Sequence, residues 1–330
     1  MAASAMLTLI AVCRGRGNDM KKTVRVTACG QAYKMTSRQL KDYKAPSFPR
    51  GAAQSIKSLR ASDPSALEDD ENMTNSAAAS AFGQWLQSIS PKYQLDLTTV
   101  SRAGADAGFR SYHRIAAADG RSFIAMNAEG ETPESFASFI KVDGLLRNEA
   151  GLNAPEIFEA DTDHRFMLLS DLGRETYLDV LNEDNARELM DRATTALVAW
   201  QKISRPNVLP AYSREVLQRE LELFPTWYVG RHRGVEWTEE QQKWWRMTTE
   251  AILDTNCREA LVFVHRDFMP RNLMVSDPMP GILDFQDALY GPLSYDIASL
   301  LRDAFISWDE SFVLDTTIRY WEKARKAGIP

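Results

Sequence analysis

Val264-His265-Arg266-Asp267-Phe268-Met269-Pro270-Arg271-Asn272 is the stretch that decides what this 330-residue chain can be, together with Asp284 twelve residues later. Asp267 stands where an acceptor hydroxyl would be oriented and deprotonated. Asn272 and Asp284 supply hard oxygen ligands of the kind that Mg²⁺ prefers. The His-x-Asp-x-x-x-x-Asn spacing therefore predicts a catalytic base and a metal site for phosphoryl transfer. The alternative is a surface turn that is merely rich in Asp and Arg.

Composition is that of an ordinary globular protein, with 44% hydrophobic and 25% charged residues. The length allows two lobes and a large core, and no apolar run approaches the length of a membrane span. Three scattered cysteines, Cys13, Cys29 and Cys257, cannot form a disulfide framework or a zinc cluster. These features predict a cytoplasmic protein.

The net charge of −6 conceals an uneven distribution along the chain. Residues 1–60 contain 12 basic and 2 acidic residues, whereas the remainder contains 27 basic and 43 acidic residues. The acidic main body argues against a nucleic-acid partner. Residues 1–72 have no sustained periodicity and are open to three interpretations: a disordered basic arm, a targeting segment, or spurious upstream translation. We favour the last, with Met73 as the biological start.

Between residues 73 and 172 the hydrophobic pattern predicts a small lobe, in which one helix crosses an antiparallel sheet. Thr132 and Pro133 have the chemistry of a helix start, and Gly151 that of a helix end. The predicted strands are Leu95–Arg102, Phe109–Ala118, Arg121–Asn127, Glu156–Ala160 and Arg165–Ser170, after a first helix at Ala77–Ser88 that Pro91 ends.

From residue 173 to residue 330 the pattern is mainly helical. The predicted helices are Tyr177–Leu181, Ala186–Ile203, Glu215–Tyr228, Thr238–Ile252, Tyr295–Phe305 and Ser311–Lys326. Short strands are predicted at Leu261–Val264, Leu273–Val275 and Ile282–Phe285. Strands in one half and helices in the other predict a two-lobed α+β fold.

Five segments in this order carry a resemblance to a known family: Phe166–Gly173, Glu222–His232, Val264–Met274, Gly281–Pro292 and Ser294–Ala298. From about Leu95 to Pro330 the chain resembles the aminoglycoside phosphotransferase-like small-molecule kinases, which share the protein-kinase fold. Within that group it is most similar to the anomeric kinases of N-acetylmuramate and N-acetylglucosamine in cell-wall recycling. The resemblance implies ATP- and Mg²⁺-dependent transfer to the anomeric hydroxyl of an amino sugar by a monomer. It implies neither a nucleic-acid nor a membrane partner.

The resemblance also implies a role for each motif residue. Asp267 matches the catalytic base, and Asn272 and Asp284 match the metal ligands. His265, Arg266 and Asp296 match positions that brace the catalytic loop.

For the nucleotide, the resemblance implies an adenine-binding hinge at Ser170–Leu172 and a phosphate-covering loop at Gly104–Gly108. One departure is that the third strand, at Phe123–Met126, lacks the lysine that protein kinases use to bind phosphate. Arg110, Arg114, Arg121 and the metal are the alternatives for that charge.

Several residues are candidates for the acceptor site. Glu222 and Arg231 are placed to hydrogen-bond sugar hydroxyls, Trp227 to stack on a pyranose ring, and Asp287 to fix a substrate hydroxyl. The alternatives are core packing, a structural ion pair and a loop cap. Family members usually continue with further helices, so we expect a truncated C-terminus. Rival functions are an aminoglycoside, choline or homoserine kinase and a nucleotide-binding pseudokinase.

Overall fold

The computed structural model describes residues 23–28, 31–36, 80–104 and 110–330. The chain divides into two compact units that meet in sequence between Gln84 and Trp85. In the first unit, β1 (Thr23–Ala28) and β2 (Gln31–Thr36) form an antiparallel ribbon. The sequence analysis predicts no element there. Most of residues 1–72 lie outside the described residues, so the interpretation of this segment stays a prediction.

The described residues of the second unit include nine strands. They are β3 (Ser101–Gly104), β4 (Ser111–Ala116), β5 (Ser122–Asn127), β6 (Ile157–Asp161), β7 (Phe166–Ser170), β8 (Leu261–Val264), β9 (Leu273–Met274), β10 (Gly281–Ile282) and β11 (Leu289–Pro292). Five of them form one antiparallel sheet in the order β3-β4-β5-β7-β6. The pairs β8–β11 and β9–β10 form two small antiparallel ladders.

The described helices follow the predicted order. They are α1 (Ala81–Tyr93), α2 (Pro133–Gly144), α3 (Tyr177–Val180), α4 (Ala186–Lys202), α5 (Arg214–Leu223), α6 (Glu239–Asn256), α7 (Tyr295–Leu301) and α8 (Glu310–Lys326). Leu145–Glu149 and Phe224–His232 are π-helical, and Leu97–Thr99 and Pro270–Asn272 are 3₁₀ turns. The described part contains no helix that is both long and apolar enough to cross a membrane.

Helix α2 covers the five-stranded sheet because its sequence has a strong start and one apolar face. The Thr132 side chain accepts a hydrogen bond from the Ser135 N–H at 3.2 Å, and Pro133 occupies the first turn. Phe136, Phe139 and the other apolar residues of this face are buried in one core with strands β5 and β7. This contact places α2 between the sheet and the later loops.

The helical part is organised around α4, which is apolar at helical spacing and packs against α8. The Trp200 ring lies 5.2 Å from that of Phe263 in β8, so α4 also supports the strand that precedes the catalytic motif. The buried Tyr320 hydroxyl donates to Gln201 Oε1 at 2.6 Å, which satisfies both polar groups. The predicted α+β arrangement of sheet and helices is confirmed.

Two predicted boundaries at the sheet are wrong for local reasons. Pro91 does not end α1 but lies inside it. Because proline has no N–H, the Gln87 carbonyl loses its helical donor and instead accepts the Ser90 hydroxyl at 3.0 Å. The strand predicted at Leu95–Arg102 is interrupted, since the Asp96 side chain caps a 3₁₀ turn.

Three boundaries in the helical part also differ. The α-helical part of α5 ends at Leu223, and a wider π-helix follows it at Phe224–His232. The change occurs because Pro225 has no N–H for an ordinary helical hydrogen bond. The strand predicted at Ile282–Phe285 ends at Ile282, since Asp284 has a positive φ of 63°. Helix α7 ends at Leu301, where Arg302 leaves helical geometry.

Candidate active site

The catalytic motif forms a loop at the end of the β8–β11 ladder. Strand β8 ends at Val264, which pairs with Leu289 at the start of β11. Asp267 follows β8 and Asp287 precedes β11, so both carboxylates lie at the same end of the ladder. Asp287 raises the pKa of Asp267, which is the electrostatic sign of this proximity.

Asp296 in helix α7 holds the loop by hydrogen bonds to its backbone. Its fully buried carboxylate accepts the backbone N–H of His265 at 2.7 Å and of Arg266 at 3.0 Å. Burial raises the pKa of Asp296 to about 7, and the two N–H donors act against that rise. Arg266 has a φ of 80°, which a non-glycine residue adopts only when its surroundings fix it. The predicted bracing contact of Asp296 is therefore present in the structure.

The side chain of Arg266 is anchored separately. It donates to Glu220 Oε1 at 2.7 Å, and the other oxygen of this buried carboxylate accepts the hydroxyls of Tyr212 and Tyr295. The Glu220 hydrogen bond and charge raise the pKa of Arg266 against its burial, so the guanidinium stays charged. The sequence analysis did not identify Glu220, because no local pattern links a helix to a loop 46 residues later.

His265 is buried against the edge of the Phe268 ring, with ring centroids 5.6 Å apart. Burial lowers the pKa of His265 to about 4, so the imidazole is neutral at pH 7. Its predicted role as a supporting residue stays a prediction.

Asp267 occupies a site that disfavours its charge. Burial raises the pKa of Asp267 to about 6, and the Asp284 carboxylate is the next largest cause. Asp287 and Glu220 act in the same direction, whereas the positive charge of Arg266 lowers the pKa. A carboxylate in this setting has an increased affinity for protons, which is the property of a general base.

Asn272 and Asp284 are brought together by the β9–β10 hairpin. Leu273 pairs with Ile282, and the Leu283 N–H donates to the Asn272 carbonyl at 3.0 Å. The Asn272 amide nitrogen donates to the Asp267 carbonyl at 2.9 Å and to Asp284 Oδ2 at 3.3 Å. The amide oxygen is then the atom of Asn272 that would ligate a cation.

This donor set suits Mg²⁺, which is usually held by one or two protein oxygens together with phosphates and water. The repulsion between Asp267 and Asp284 is what an intervening cation would relieve. Among the described residues, no group of three or more His, Cys, Asp and Glu side chains could hold a metal. The predicted pair would leave the remaining coordination positions of such an ion to phosphates and water.

Helix α2 reaches the metal-ligand loop directly. The Ser138 hydroxyl donates to the Gln286 carbonyl at 2.6 Å, and Gln286 Nε2 donates to Asp284 Oδ1 at 2.8 Å. The Phe139 and Phe285 rings lie 4.8 Å apart. Sequence reasoning missed Ser138 and Gln286, whose contact spans 148 residues and has no signature of its own.

The predicted hinge lies at the end of β7, where an ion pair fixes it. Asp171 accepts two hydrogen bonds from Arg114, at 2.5 and 2.9 Å, and one from the Ser122 hydroxyl at 2.6 Å. Arg114 also donates to the Gly173 carbonyl at 2.7 Å. The Ser170 N–H is already used by the Glu156 carbonyl at 2.9 Å, so Leu172 is the better placed of the two predicted hinge residues.

Of the predicted phosphate loop, Gly104 is the last residue of β3. Residues 105–109, including Gly108, lie outside the described residues. The role of this loop stays a prediction.

The contacts of the predicted acceptor residues Glu222, Trp227 and Arg231 join helix α5, the π-helix and helix α6. Glu222 accepts hydrogen bonds from Gln218 at 2.7 Å and from the Trp245 indole at 3.4 Å. The Arg231 guanidinium lies 3.9 Å from the centre of the Trp227 ring, and Trp227 is 53% exposed. Trp227 is therefore not a core residue, and the roles of Glu222, Trp227 and Arg231 stay predictions. Asp287 lies at the same end of the β8–β11 ladder as Asp267.

A five-stranded sheet, a crossing helix and a braced His-Arg-Asp loop beside an Asn–Asp pair define the class of protein-kinase-like phosphotransferases. The chain belongs to the phosphotransferase enzyme family, whose sequence model matches residues 99–329. It is therefore an enzyme that transfers a phosphoryl group to a hydroxyl acceptor, and the predicted family and fold are confirmed.

Two named relatives are similar over most of their length. The N-acetylmuramate/N-acetylglucosamine kinase of Pseudomonas aeruginosa is 45% identical over 265 residues, which cover 78% of this chain and 78% of that protein. The kinase of the same name from Neisseria meningitidis serogroup B is 46% identical over 250 residues, covering 74% of this chain and 73% of that protein.

Solved structures support the fold at much lower identity. The ternary complex of APH(2″)-IIa with streptomycin and ATP superposes with a TM-score of 0.52 at 15% identity, covering 76% of this chain and 87% of that chain. The crystal structure of ADP-bound APH(2″)-Ib superposes with a TM-score of 0.53 at 15% identity, covering 73% of this chain and 84% of that chain.

Proposed function

We propose that this enzyme transfers the γ-phosphoryl group of ATP to the anomeric hydroxyl of N-acetylmuramate or N-acetylglucosamine. The observation that carries the reaction type is the position of Asp267, desolvated and next to the Asn272–Asp284 pair. The acceptor class is taken from the two relatives named above, whose sequences are 45% and 46% identical to this chain over the aligned residues.

In the proposed reaction, Asp267 accepts a hydrogen bond from the anomeric hydroxyl and takes its proton as the oxygen attacks the γ-phosphorus. One oxygen–phosphorus bond forms to the sugar, and the bond from the γ-phosphorus to the β–γ bridging oxygen breaks. The products are the sugar 1-phosphate and ADP. Asp296 and Glu220 keep the loop and its arginine in place throughout.

Asn272 and Asp284 are the residues that would hold Mg²⁺. When bound, the ion neutralises charge on the phosphate oxygens. Gln286 orients the Asp284 carboxylate through its bond to Oδ1. Ser170–Leu172 would receive the adenine, with Asp171 fixed by Arg114. Asp287 would bind the acceptor from the end of the ladder that it shares with Asp267.

We place this reaction in the cytoplasm, within peptidoglycan recycling, and propose a monomer that acts on small molecules. The acidic balance of residues 61–330, with 43 acidic and 27 basic side chains, disfavours nucleic acid as a partner.

The test is an ADP-release assay on the purified full chain with N-acetylmuramate, N-acetylglucosamine, kanamycin, choline and homoserine, with and without Mg²⁺. We expect Mg²⁺-dependent turnover with the two amino sugars, and a product whose phosphorus signal is that of a sugar 1-phosphate. Turnover confined to kanamycin, choline or homoserine would overturn the proposed acceptor. Nucleotide binding without turnover on any acceptor would indicate a pseudokinase.

A further inference from the structure

Strand β5 of this kinase has no cation where protein kinases use a lysine to bind phosphate. Its residues Ser122–Asn127 are apolar or neutral. Of the arginines in and beside the sheet, the three named above as alternatives for that charge, Arg110, Arg114 and Arg121, occupy different positions relative to the hinge. Their positions decide which of them can replace that lysine.

The pairing of β5 with its neighbours shows which end of the strand is near the hinge. At one end Phe123 pairs with Ser170, the last residue before the hinge, and at the other end Asn127 pairs with Ser111. Four residues of strand span about 13 Å. Arg110 immediately precedes Ser111 and is therefore at the end that is distant from the hinge.

Arg114 and Arg121 are committed at the hinge end. Arg114 makes its two bonds with Asp171 and one with the Gly173 carbonyl. Arg121 pairs with Asp119 in the exposed β4–β5 turn, with half of its side chain (52%) exposed. Gly104, the first residue of the predicted phosphate loop, pairs with Tyr112 at the end of the sheet distant from the hinge, so phosphates bound by that loop would lie away from both guanidinium groups.

Arg110 is buried but incompletely paired. Its side chain is 8% exposed, and Nη2 donates to the Ser135 hydroxyl at 2.8 Å. The Glu131 carboxylate lies 3.6 Å from Nε, which is longer than a hydrogen bond of good geometry. The guanidinium therefore has one hydroxyl acceptor and one carboxylate beyond good hydrogen-bond distance, and a phosphate oxygen would suit its other N–H groups.

Helix α2 connects Arg110 to the metal-ligand loop. Ser135 and Ser138 are three residues apart and so lie on one side of the helix. Ser138 donates to the Gln286 carbonyl, and Gln286 donates to Asp284. The guanidinium is thus about one helical turn, roughly 5 Å along α2, from the contact that orients the proposed metal ligand.

We propose that Arg110 is the phosphate-binding cation of this enzyme, held by Glu131 and Ser135 as the strand lysine of protein kinases is held by a helix glutamate. The inference rests on the proposed function, because it requires that the site binds a nucleoside triphosphate. It predicts that Arg110 contributes to the binding of the phosphates and does not contribute to the binding of adenosine.

The test is the binding of ATP and of adenosine to purified full-length variants, measured by calorimetry in the presence of Mg²⁺. Arg110→Met keeps an unbranched stem like that of arginine and removes the guanidinium charge. We expect about a 10- to 100-fold loss of affinity for ATP, the worth of a charge-assisted hydrogen bond, and an adenosine affinity unchanged within about twofold. Arg110→Lys should recover part of the loss, and Arg121→Met is the matched control that should bind both ligands normally.

Unchanged ATP affinity in Arg110→Met, or an equal loss for ATP and adenosine, would overturn the inference. If that variant does not fold, Glu131→Gln retains the arginine and removes its anchor. It should then raise the KM for ATP and leave the KM for the sugar unchanged; an unchanged KM for ATP would reject the proposal. A wild-type chain that binds ATP but phosphorylates no sugar contradicts the proposed function while leaving the assignment of Arg110 intact.

Discussion

At the scale of single residues, the site concentrates negative charge around the proposed base. Asp267 carries a pKa raised to about 6 by burial and by Asp284, with Asp287 and Glu220 adding to the effect. Charge repulsion of this kind opposes folding and is retained where function needs it. The residue that we assign to chemistry should therefore be unfavourable for stability.

Asp267→Asn tests this directly. The variant lacks the proton acceptor, so we expect kcat to fall by about 10²- to 10⁴-fold, the usual contribution of a general base. It also removes one of the repelling charges, so the melting temperature should rise or stay the same. Steady-state kinetics and calorimetric melting measure the two effects. Asp163→Asn, in the exposed β6–β7 turn, is the control and should change neither. A variant that keeps the wild-type rate would refute the role of Asp267.

At the scale of elements, close packing of β11 holds the residues that anchor Arg266. Gly291 lies against Tyr212, and a Cβ at this glycine would meet Tyr212 Cβ at 2.5 Å. The hydroxyl of Tyr212 is bonded to Glu220, which in turn binds Arg266. A displaced Tyr212 would therefore disturb the loop as well as the strand.

We expect Gly291→Ala to lower the free energy of unfolding by about 1–3 kcal/mol, the usual cost of overpacking, and to lower kcat. Gly144→Ala is the matched control: its Cβ would have an ordinary contact of 3.8 Å with Asn148, and alanine favours the helix. Urea unfolding of both variants checks the difference. Equal stability of the two would mean that β11 has room at Gly291.

Elements marked by local sequence signals could be predicted, and contacts between distant elements could not. Helix α2 was found because Thr132 and Pro133 act within one turn, and strand β8 because four apolar residues adjoin the catalytic motif. The contacts of Glu220 and Gln286 could not be found, since they join segments 46 and 148 residues from their partners. Local rules led to the proposed reacting groups, whereas the contacts that hold them depend on tertiary packing.

At the scale of the whole molecule, one buried carboxylate away from the chemistry links stability to pH. Asp143 in α2 is buried, and no hydrogen-bond partner is found for its Oδ1 atom. Burial raises the pKa of Asp143 to about 6, and Glu156 adds to the rise while Arg147 opposes it. The neutral acid is the form that the folded state prefers.

A folded-state pKa above the unfolded value of 3.8 means that stability from this group is present at acid pH. It is lost as the pH rises from about 4 to about 6. Asp143→Asn removes the dependence, so we expect it to raise the free energy of unfolding by up to about 3 kcal/mol at pH 8 and by about half as much at pH 5. Guanidinium titrations of wild type and variant at both pH values measure this. A larger gain at pH 5 would contradict the assignment.

The contact between Asp296 and the backbone of Arg266 has a consequence for synthesis. The loop needs a partner that the ribosome adds 30 residues later. At about 5–20 residues per second, that interval lasts roughly 2–6 s. During it, Arg266 has nothing to hold its positive φ, so a nascent chain already carrying Asp267 would have no working base. Activity should therefore report that the polypeptide has been made beyond α7.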